Sequence, residues 1–593
     1  MDEMEYYKAP TKDMKFLLDV FDYEGKVQSL EAFEGYDKET LGAIIDTAAQ
    51  VCIDKLLPYN RVGDEQGLEW DPETGAVTTP DGFKEAYDTL VENGLLGVTC
   101  TPDYGGMGGP EILGIFSSEI MVATNKSFSM CPGLSRGLID ALTAHGSDEQ
   151  KEFYLPKLIS GEWSGTMCLT EPQCGTDLGL IRTKAIPQED GSYKLTGTKI
   201  WITFGEHDLA DNIIHLVLAR LPDAPEGIKG ISAFIVPKKI DGELNNVKCT
   251  GLEHKMGIKA SPTCVIDMED STGFLVGTPH KGMRSMFVMM NAARLHVGIE
   301  GIALGSIAYQ TALAFAKDRR QMRALDPAKQ DPDHPADNIL VHPDVRRMLL
   351  NVKSTTEGLR ALGTWISMEY DVAHHHPDAE VRQAADDIVG ILTPIIKSYG
   401  SEQGFLNISE SMQVCGGAGY TTDWNIEQYL RDERIALIYE GTNHIQALDL
   451  VGRKLMIDGG RLLRTFQGRI SELIAESKGD ERMEEFITPL KTISKKLVNA
   501  TMEMGGAAMQ DREIVGAVAS PYLNLFAMCA LSYVWAKQAH YVLNNEVSFG
   551  ETKLKTARYF FAKILPQAET LLATIATGKT NMMDFDIEEF EVV

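Results

Sequence analysis

The spacing of apolar residues changes character twice along this chain, and those two changes restrict its fold more than any other property. From Glu39, residues Leu41, Ile44, Ile45, Ala48, Val51, Cys52 and Leu56 recur every three or four positions, the period of an amphipathic helix. More helices are predicted at 83–93, 112–125, 133–144 and 148–160, after a Gly/Pro/Asp-rich break at 63–82 in which Trp70 and Val77-Thr78-Thr79 read as a small hairpin. Near Ser164 the period becomes strand-like. Runs rich in β-branched and aromatic residues lie at 193–203, 213–220, 231–236, 247–249 and 263–268, with turn signals at Glu189-Asp190-Gly191, 222–230 and Asp241-Gly242. Short strands at this spacing predict a compact barrel or sandwich of about 115 residues. From Gly282 the helical period returns, with segments at 283–320, 343–372, 379–408 and 426–438 that suit an antiparallel bundle, and a Pro/Asp-rich loop at 326–343.

The expected organisation is mostly α with a central β-barrel domain: an arm at 1–38 with a short helix at 14–21, a helical domain at 39–163, the β domain at 164–281, a helical bundle at 282–458 and an appended helical domain at 459–593. Helices and strands that are segregated in this way argue against a doubly wound α/β fold. No Gly-x-Gly-x-x-Gly follows a strand in the context a Rossmann nucleotide site requires. The formal net charge of -29 argues against bulk nucleic-acid binding and against docking on an anionic membrane. A polyanionic ligand would need a local basic patch or helix N-termini. No apolar run of about 18 residues is seen, so no transmembrane helix is expected. The acidic start, Met1-Asp2-Glu3-Met4-Glu5, does not read as a signal peptide, and Phe590-Glu591-Val592-Val593 carries no address motif. Nine cysteines without a Cys-x-x-Cys pair read as free thiols in a reducing cytoplasm. His374-His375-His376-Pro377 reads as a solvated loop, not a metal site.

Several short stretches carry chemistry. In Met167-Cys168-Leu169-Thr170-Glu171-Pro172-Gln173-Cys174-Gly175-Thr176-Asp177, Pro and Gly fix a loop whose hydroxyls and backbone N–H groups can bind a heteroaromatic edge and a phosphate together. Gly197-Thr198-Lys199-Ile200-Trp201-Ile202-Thr203 puts Trp201 and Thr203 on one face of a strand. Asp318-Arg319-Arg320-Gln321 ends a long helix, and Gln413-Val414-Cys415-Gly416-Gly417-Ala418-Gly419-Tyr420 is a glycine-rich break that allows close backbone approach to a phosphate. The stretch 429–446 begins as an amphipathic helix, breaks at Glu440-Gly441 and restarts on Thr442 or Asn443, both good N-cap types. A carboxylate at such a break can point into a cavity. Each feature alone has an ordinary structural explanation: a connection, a core Trp, a helix C-cap, a surface acid.

Their order along the chain is more informative. A Thr-Glu-Pro loop, a Gly-Thr-Lys-x-Trp-Ile-Thr strand, Arg-Arg-Gln, Gln-x-x-Gly-Gly and Tyr-Glu-Gly-Thr, in helix–strand–helix context, resemble the acyl-CoA dehydrogenase family. Gly94-Leu95-Leu96-Gly97-Val98-Thr99, Tyr104-Gly105-Gly106-Met107-Gly108 and Gln150-Lys151-Glu152-Phe153-Tyr154-Leu155-Pro156-Lys157-Leu158 are similar to its N-terminal domain, so the likeness covers roughly residues 40–455. The arm with its Tyr7-Lys8-Ala9-Pro10 start and the C-terminal block resemble the layout of long bacterial members.

The resemblance implies an FAD enzyme that desaturates an acyl-CoA thioester between Cα and Cβ. Such a reaction needs a desolvated carboxylate over a weakly acidic Cα–H and donors where enolate charge develops. By resemblance Glu440 is the base, and its backbone N–H helps hold the thioester oxygen. The alternative base position in the family falls on Ala293, which cannot act, and Glu300 does not match it. Met167, Leu169, Thr170, Thr176, Trp201 and Thr203 are implied to line the flavin and its pyrophosphate. Arg319, Gln413, Gly416 and Gly417 are implied to reach the FAD of the partner in a homodimer, and Thr442 and His444 to meet the nucleotide end. Thr176, Arg294 and Gly441 are implied on the substrate side. The chain departs from the family pattern at Met322-Arg323 (commonly Phe-Gly), at His444 (often Gln or Glu) and at Asn291 (an acid in some members). Electrons would pass to an electron-transferring flavoprotein. An acyl-CoA oxidase, which would reduce oxygen, and a nucleic-acid-binding relative remain as alternatives, the second opposed by the acidic charge.

Overall fold

The structure, a computed structural model, describes residues 6–592. The described chain forms two compact units: Thr40–His296, and Tyr6–Glu39 together with the chain from Val297 onward. The Gly282–Asp318 helix is divided between them at His296.

In the Thr40–His296 unit, the helices Lys38–Lys55, Pro58–Gln66, Phe83–Glu92, Glu111–His145 and Asp148–Ser160 precede the sheet. Residues 63–66, expected in a break, finish a helix that Pro58 starts at its first position, where a missing N–H costs nothing. Strands β1 (Glu69–Trp70) and β2 (Val77–Thr78) pair antiparallel, and the Trp70 indole donates to the Cys249 carbonyl at 3.4 Å. The helices expected at 112–125 and 133–144 are consecutive, with no loop between them. The backbone leaves helical geometry at Asn125 (φ -162°, ψ 92°), whose Oδ1 accepts the Phe128 N–H at 3.0 Å and so caps the second helix.

The strands that follow are β3 (Trp163–Cys168), β4 (Lys184–Pro187), β5 (Tyr193–Thr203), β6 (Asn212–Arg220), β7 (Ile231–Pro237), the small hairpin β8 (Lys239–Ile240) and β9 (Glu243–Leu244), β10 (Val247–Leu252) and β11 (Thr263–Val276). β5 pairs with β4, β4 with β6, β6 with β7, β7 with β11, and β11 with β5, so the circuit closes into a barrel; β10 adds to β11, and β3 runs parallel to β6. Alternation along β6 explains both faces. Ile214, Leu216 and Leu218 pack with Leu138, Leu142, Leu155 and Leu158 of the helices, whereas Val217 and Ala219 join Leu195, Phe234 and Ile266 in a second core. β3 lacks that alternation because Ser164, Gly165, Thr166 and Cys168 are all buried. Two of its hydroxyls meet imidazoles, Ser164 with His207 (2.8 Å) and Thr166 with His215 (2.7 Å), and burial pushes both imidazoles down to about 3.

In the other unit, the helices Pro343–His375, Ala379–Cys415, Ile426–Glu433 and Asn443–Gly452 join the later part of Gly282–Asp318. Gly301 and Gly404 set one crossing: a Cβ on Gly301 would lie 2.3 Å from the Gly400 carbonyl oxygen, and one on Gly404 2.3 Å from Gly301 Cα. His374 and His375 end a helix instead of lying in a loop, and His375 packs edge-on against Phe33 at 4.9 Å. The helices Arg461–Glu476, Glu484–Ala508, Glu513–Asn544, Gly550–Tyr559 and Ala568–Ala576 form the C-terminal block. That block and the arm pack into this unit. Trp535 donates its indole N–H to the Ser354 carbonyl at 3.2 Å and lies over Gly358.

Ala293–Asp318 and Glu513–Asn544 are long and apolar enough, by length and composition, to cross a membrane, which the search for one uninterrupted apolar run does not anticipate; 72% and 61% of their most apolar windows are buried in the fold. All nine cysteines are unpaired and buried.

One ion cluster ties three segments together. Lys553 Nζ, 5% exposed, lies 2.5 Å from Asp13 of the arm and 2.8 Å from Glu357, while Arg360 holds the other Asp13 oxygen at 2.8 Å and Lys353 pairs with Glu357. Removing Lys553 leaves Asp13 with Arg360 alone and Glu357 with Lys353 alone, so the loss stays at the low end of the about 3–5 kcal/mol that breaking a buried ion pair costs. Lys553→Met is therefore expected to lower the unfolding free energy by about 3 kcal/mol in denaturant titration; an unchanged midpoint would show that the cluster contributes nothing.

Candidate functional site

The half-buried turn from Tyr439 to Asn443 interrupts the helices of the bundle unit. The Ile426–Glu433 helix tightens into a 3-10 turn at Arg434–Leu437, and the chain restarts at Asn443 with Thr442 as N-cap, its hydroxyl accepting the Ile445 N–H at 3.3 Å. Between them Glu440 has φ 55° and Gly441 φ 81°. Glycine adopts that region freely, but an L-residue pays about 1–2 kcal/mol. A glutamate held there points where neither helix would send it.

Buried polar groups hold the turn. Lys397, fully buried on the Ala379–Cys415 helix, donates to the Gly441 carbonyl at 2.7 Å and to Asn443 Oδ1 at 3.1 Å. Asn443 Nδ2 donates to the Ser398 carbonyl at 3.1 Å, and Gln446 Nε2 donates to the Glu440 carbonyl at 3.0 Å. Upstream, the Tyr439 hydroxyl donates to Glu300 Oε2 at 2.5 Å. Burial, then the charge and hydrogen bond of Glu300, then Glu433 and Glu440, raise this phenol well above its ordinary range, so it stays protonated. Glu440 itself is half-buried. His444 is exposed, and its Nδ1 lies 3.1 Å from Ser520 Oγ of the C-terminal block. The block thus reaches the same turn, a link that a search of the block for catalytic groups does not find.

Arg319, Gln413, Gly416 and Gly417 lie elsewhere on this unit and are all exposed. Phe315 packs edge-on against Trp424 at 5.1 Å, which ties the end of the Arg319 helix to the segment after the glycines. Arg320 and Arg323 are committed to the Asp-rich loop through Asp331 and Asp337, leaving Arg319 as the outward arginine of the run. Gly416 has φ 58°, and a Cβ on Gly416 or Gly417 would meet nothing within 4 Å. From Lys397 to Gln413 is roughly 24 Å of helix at 1.5 Å per residue, so this cluster is remote from the Glu440 turn.

In the Thr40–His296 unit, the loop after β3 is built around one buried ion pair. Glu171 and Lys199 are 3% and 0% exposed and 2.8 Å apart. The remaining lone pairs of Glu171 accept from Gln173 Nε2 (2.7 Å), Arg182 N (2.6 Å) and the N–H and hydroxyl of Thr183 (3.1 and 2.6 Å). Burial alone would raise this carboxyl, but the Lys199 ammonium and these donors outweigh it and hold it down to about 2. Lys199 also donates to the Leu169 carbonyl at 3.0 Å, and the Ile200 N–H donates to the Thr170 carbonyl at 3.0 Å. Leu169 and Thr170 are thereby fixed beside β5.

Two residues further along β5, Trp201 adopts φ 59°. The register with β11 shifts there, since Ile202 faces Cys264 while Lys199 faces Ile266, and the bulge leaves the indole 59% exposed. Thr203 lies half-buried beyond it, Met167 half-buried on β3, and Thr176 exposed at the far end of the loop. Arg294 is buried in the helix, near His296, which contacts Ser118 at 3.2 Å and Glu111 at 3.6 Å. Glu171, Lys199, Lys397 and Glu300, whose hydrogen bonds hold these segments, are not among the expected site residues. The available signal was a charge embedded in an otherwise apolar run, as Lys397 is after Ile395-Ile396, since such a charge is seldom buried without a partner.

Sequence models of the acyl-CoA dehydrogenase N-terminal, middle and C-terminal domains match residues 38–162, 166–271 and 280–456, and an acetyl-CoA dehydrogenase C-terminal-like model matches 466–586. The chain is 40% identical over 571 residues to 3-methylmercaptopropionyl-CoA dehydrogenase of Ruegeria pomeroyi, covering 94% of this chain and 96% of that one. It is 33% identical over 626 residues to the broad-specificity linear acyl-CoA dehydrogenase FadE5 of Mycobacterium tuberculosis, covering 99% and 100%. Its fold is similar to that of Caenorhabditis elegans ACDH-11 in complex with C11-CoA, with a TM-score of 0.79 over 97% of this chain and 96% of that one at 18% identity. With its three domain matches in order and relatives spanning nearly its whole length, the chain belongs to the acyl-CoA dehydrogenase family, whose members are FAD-dependent oxidoreductases.

Proposed function

We propose that the chain dehydrogenates 3-methylmercaptopropionyl-CoA, a thioester of dimethylsulfoniopropionate breakdown, between Cα and Cβ to give methylthioacryloyl-CoA, with Glu440 as the base. The left-handed turn at Glu440 is the observation that carries the assignment of the base. It frees one carboxylate from both flanking helices, and the charges of Glu300, Glu433 and Glu440 all act on Tyr439 beside it. The acyl group is supported by the relative from Ruegeria pomeroyi and its 40% identity along almost the whole of both chains.

In this reading the Glu440 carboxylate takes the Cα proton, and its backbone N–H holds the thioester oxygen where enolate charge develops. FAD, when bound, accepts the hydride that leaves Cβ. Met167, Leu169, Thr170, Thr176, Trp201 and Thr203 would hold it; an exposed indole on a bulge beside hydroxyls and a fixed loop backbone suits a flat heteroaromatic ring with a pyrophosphate. Thr442 would meet its nucleotide end, with His444 beside it, and Arg294 and Gly441 would serve the substrate. Arg319, Gln413, Gly416 and Gly417 would reach the FAD of a second copy, which their exposure and their distance from Glu440 along the helix support. The electrons would then pass to an electron-transferring flavoprotein. The likeness to FadE5 supports a second reading, a broader linear acyl-CoA range on the same machinery.

Three measurements test these assignments. Glu440→Gln is expected to bind acyl-CoA yet barely bleach the flavin under anaerobic conditions; ready bleaching would remove Glu440 as the base. Turnover on 3-methylmercaptopropionyl-CoA should exceed that on butanoyl-CoA and on a long-chain acyl-CoA, whereas equal turnover on linear chains would favour the broader range. Lys199→Met leaves the buried Glu171 carboxylate without its cation, at a cost of about 3–5 kcal/mol, and if even about 1.4 kcal/mol of that reaches the loop, FAD affinity falls about tenfold. Fluorescence titration of the apoprotein with FAD reads this directly, and unchanged affinity would exclude a role for the pair in shaping the loop.

A further inference from the structure

Glu300 is buried on the Gly282–Asp318 helix and does not occupy the position from which a second carboxylate could serve as base. It nevertheless contacts the Glu440 turn directly, accepting the Tyr439 hydroxyl at 2.5 Å. Tyr439 is the last residue before two consecutive left-handed positions, Glu440 and Gly441. Downstream of them the turn is anchored by Lys397, Asn443 and Gln446. Upstream, backbone bonding reaches back to Ile435 through the N–H groups of Ile438 and Tyr439, and Ile438 is 49% exposed. A strained residue keeps its conformation only where the structure on both sides over-determines it.

We propose that Glu300 is a positioning residue for the dehydrogenation: through its hydrogen bond from Tyr439 it holds the upstream side of the left-handed turn and so aims the Glu440 carboxylate. The inference rests on Glu440 being the base. Glu300 takes no proton from substrate in this scheme. It acts as an acceptor on the phenol, and the Glu433 and Glu440 carboxylates also face that phenol.

The test is anaerobic stopped-flow reduction of the FAD-loaded enzyme by acyl-CoA, comparing Glu300→Gln, Glu300→Leu and Tyr439→Phe with the wild type. A misaimed base slows the chemical step without touching substrate binding, so Tyr439→Phe and Glu300→Leu should reduce flavin roughly 10- to 100-fold more slowly at saturating substrate. Their acyl-CoA dissociation constants, FAD content and melting temperatures should stay near wild type. Glu300→Gln, which keeps an acceptor, should recover most of the rate. Wild-type rates in both Tyr439→Phe and Glu300→Leu would overturn the proposal. So would a loss confined to substrate affinity, or a Glu300→Gln rate as low as that of Glu300→Leu. If Glu300→Leu does not fold, Tyr439→Phe, which removes a single oxygen, decides alone. Glu440→Gln in parallel separates the two ideas: if that variant still bleaches the flavin, the base is misassigned whatever the Glu300 variants do.

Discussion

Buried backbone that belongs to no helix or sheet must still have its N–H and C=O groups satisfied, and side chains are the partners available there. This protein meets that constraint with buried lysines. Lys397 takes the Gly441 carbonyl at the break before the last helix of the bundle, and Lys199 takes the Leu169 carbonyl at the loop after β3. An ammonium is an economical choice because it can donate three hydrogen bonds from one point. Its cost is desolvation, which an isolated charge could not bear. Glu171 offsets that cost for Lys199, while Lys397 spreads its bonds over a carbonyl and an amide oxygen. Both irregular segments are thus held by side-chain hydrogen bonds although they lack repeating structure.

The same constraint explains why the residues around the Glu440 turn are more polar than a core should be. Glu440 is held in a conformation that its own side chain disfavours, so the surroundings must hold it there through bonds to its neighbours on both sides. Tyr439 reaches Glu300 and Asn443 reaches the Ser398 carbonyl on two other helices, while Gln446 closes back on the Glu440 carbonyl itself. On the β domain the strain sits at Trp201, where a bulge turns a large apolar side chain outward; a core Trp would have pointed in. The C-terminal helices belong to this arrangement as well, because Ser520 meets His444 and Lys553 meets Asp13 and Glu357.

Much of the architecture was legible in the residues. Strand β5 and the Asp148–Ser160 helix have the expected bounds, and the break at Glu440-Gly441 and the restart on Thr442 and Asn443 stand where the N-cap chemistry put them. What escaped has physical reasons. β3 is buried on both faces and so lacks the period of two, and β4 is too short to show one. The continuity through Asn125 depends on a cap that closes one helix against the next without a spacer. The helix runs on through His374 and His375, where Phe33, far away in sequence, packs against His375.

By itself the sequence determined the type of each long element, since amphipathic spacing is a local property of the chain. It also marked where the chain can bend, because Gly441 and Gly416 enter the left-handed region without steric cost and proline fixes φ wherever it stands. Only the tertiary structure decided which charges are partners. Glu171 and Lys199 are 28 positions apart, and Tyr439 and Glu300 are 139 positions apart, so no local pattern pairs them. It also decided the aim of Glu440. A left-handed glutamate is locally unfavourable, and it persists because packed helices on either side supply hydrogen bonds that a relaxed turn would lose.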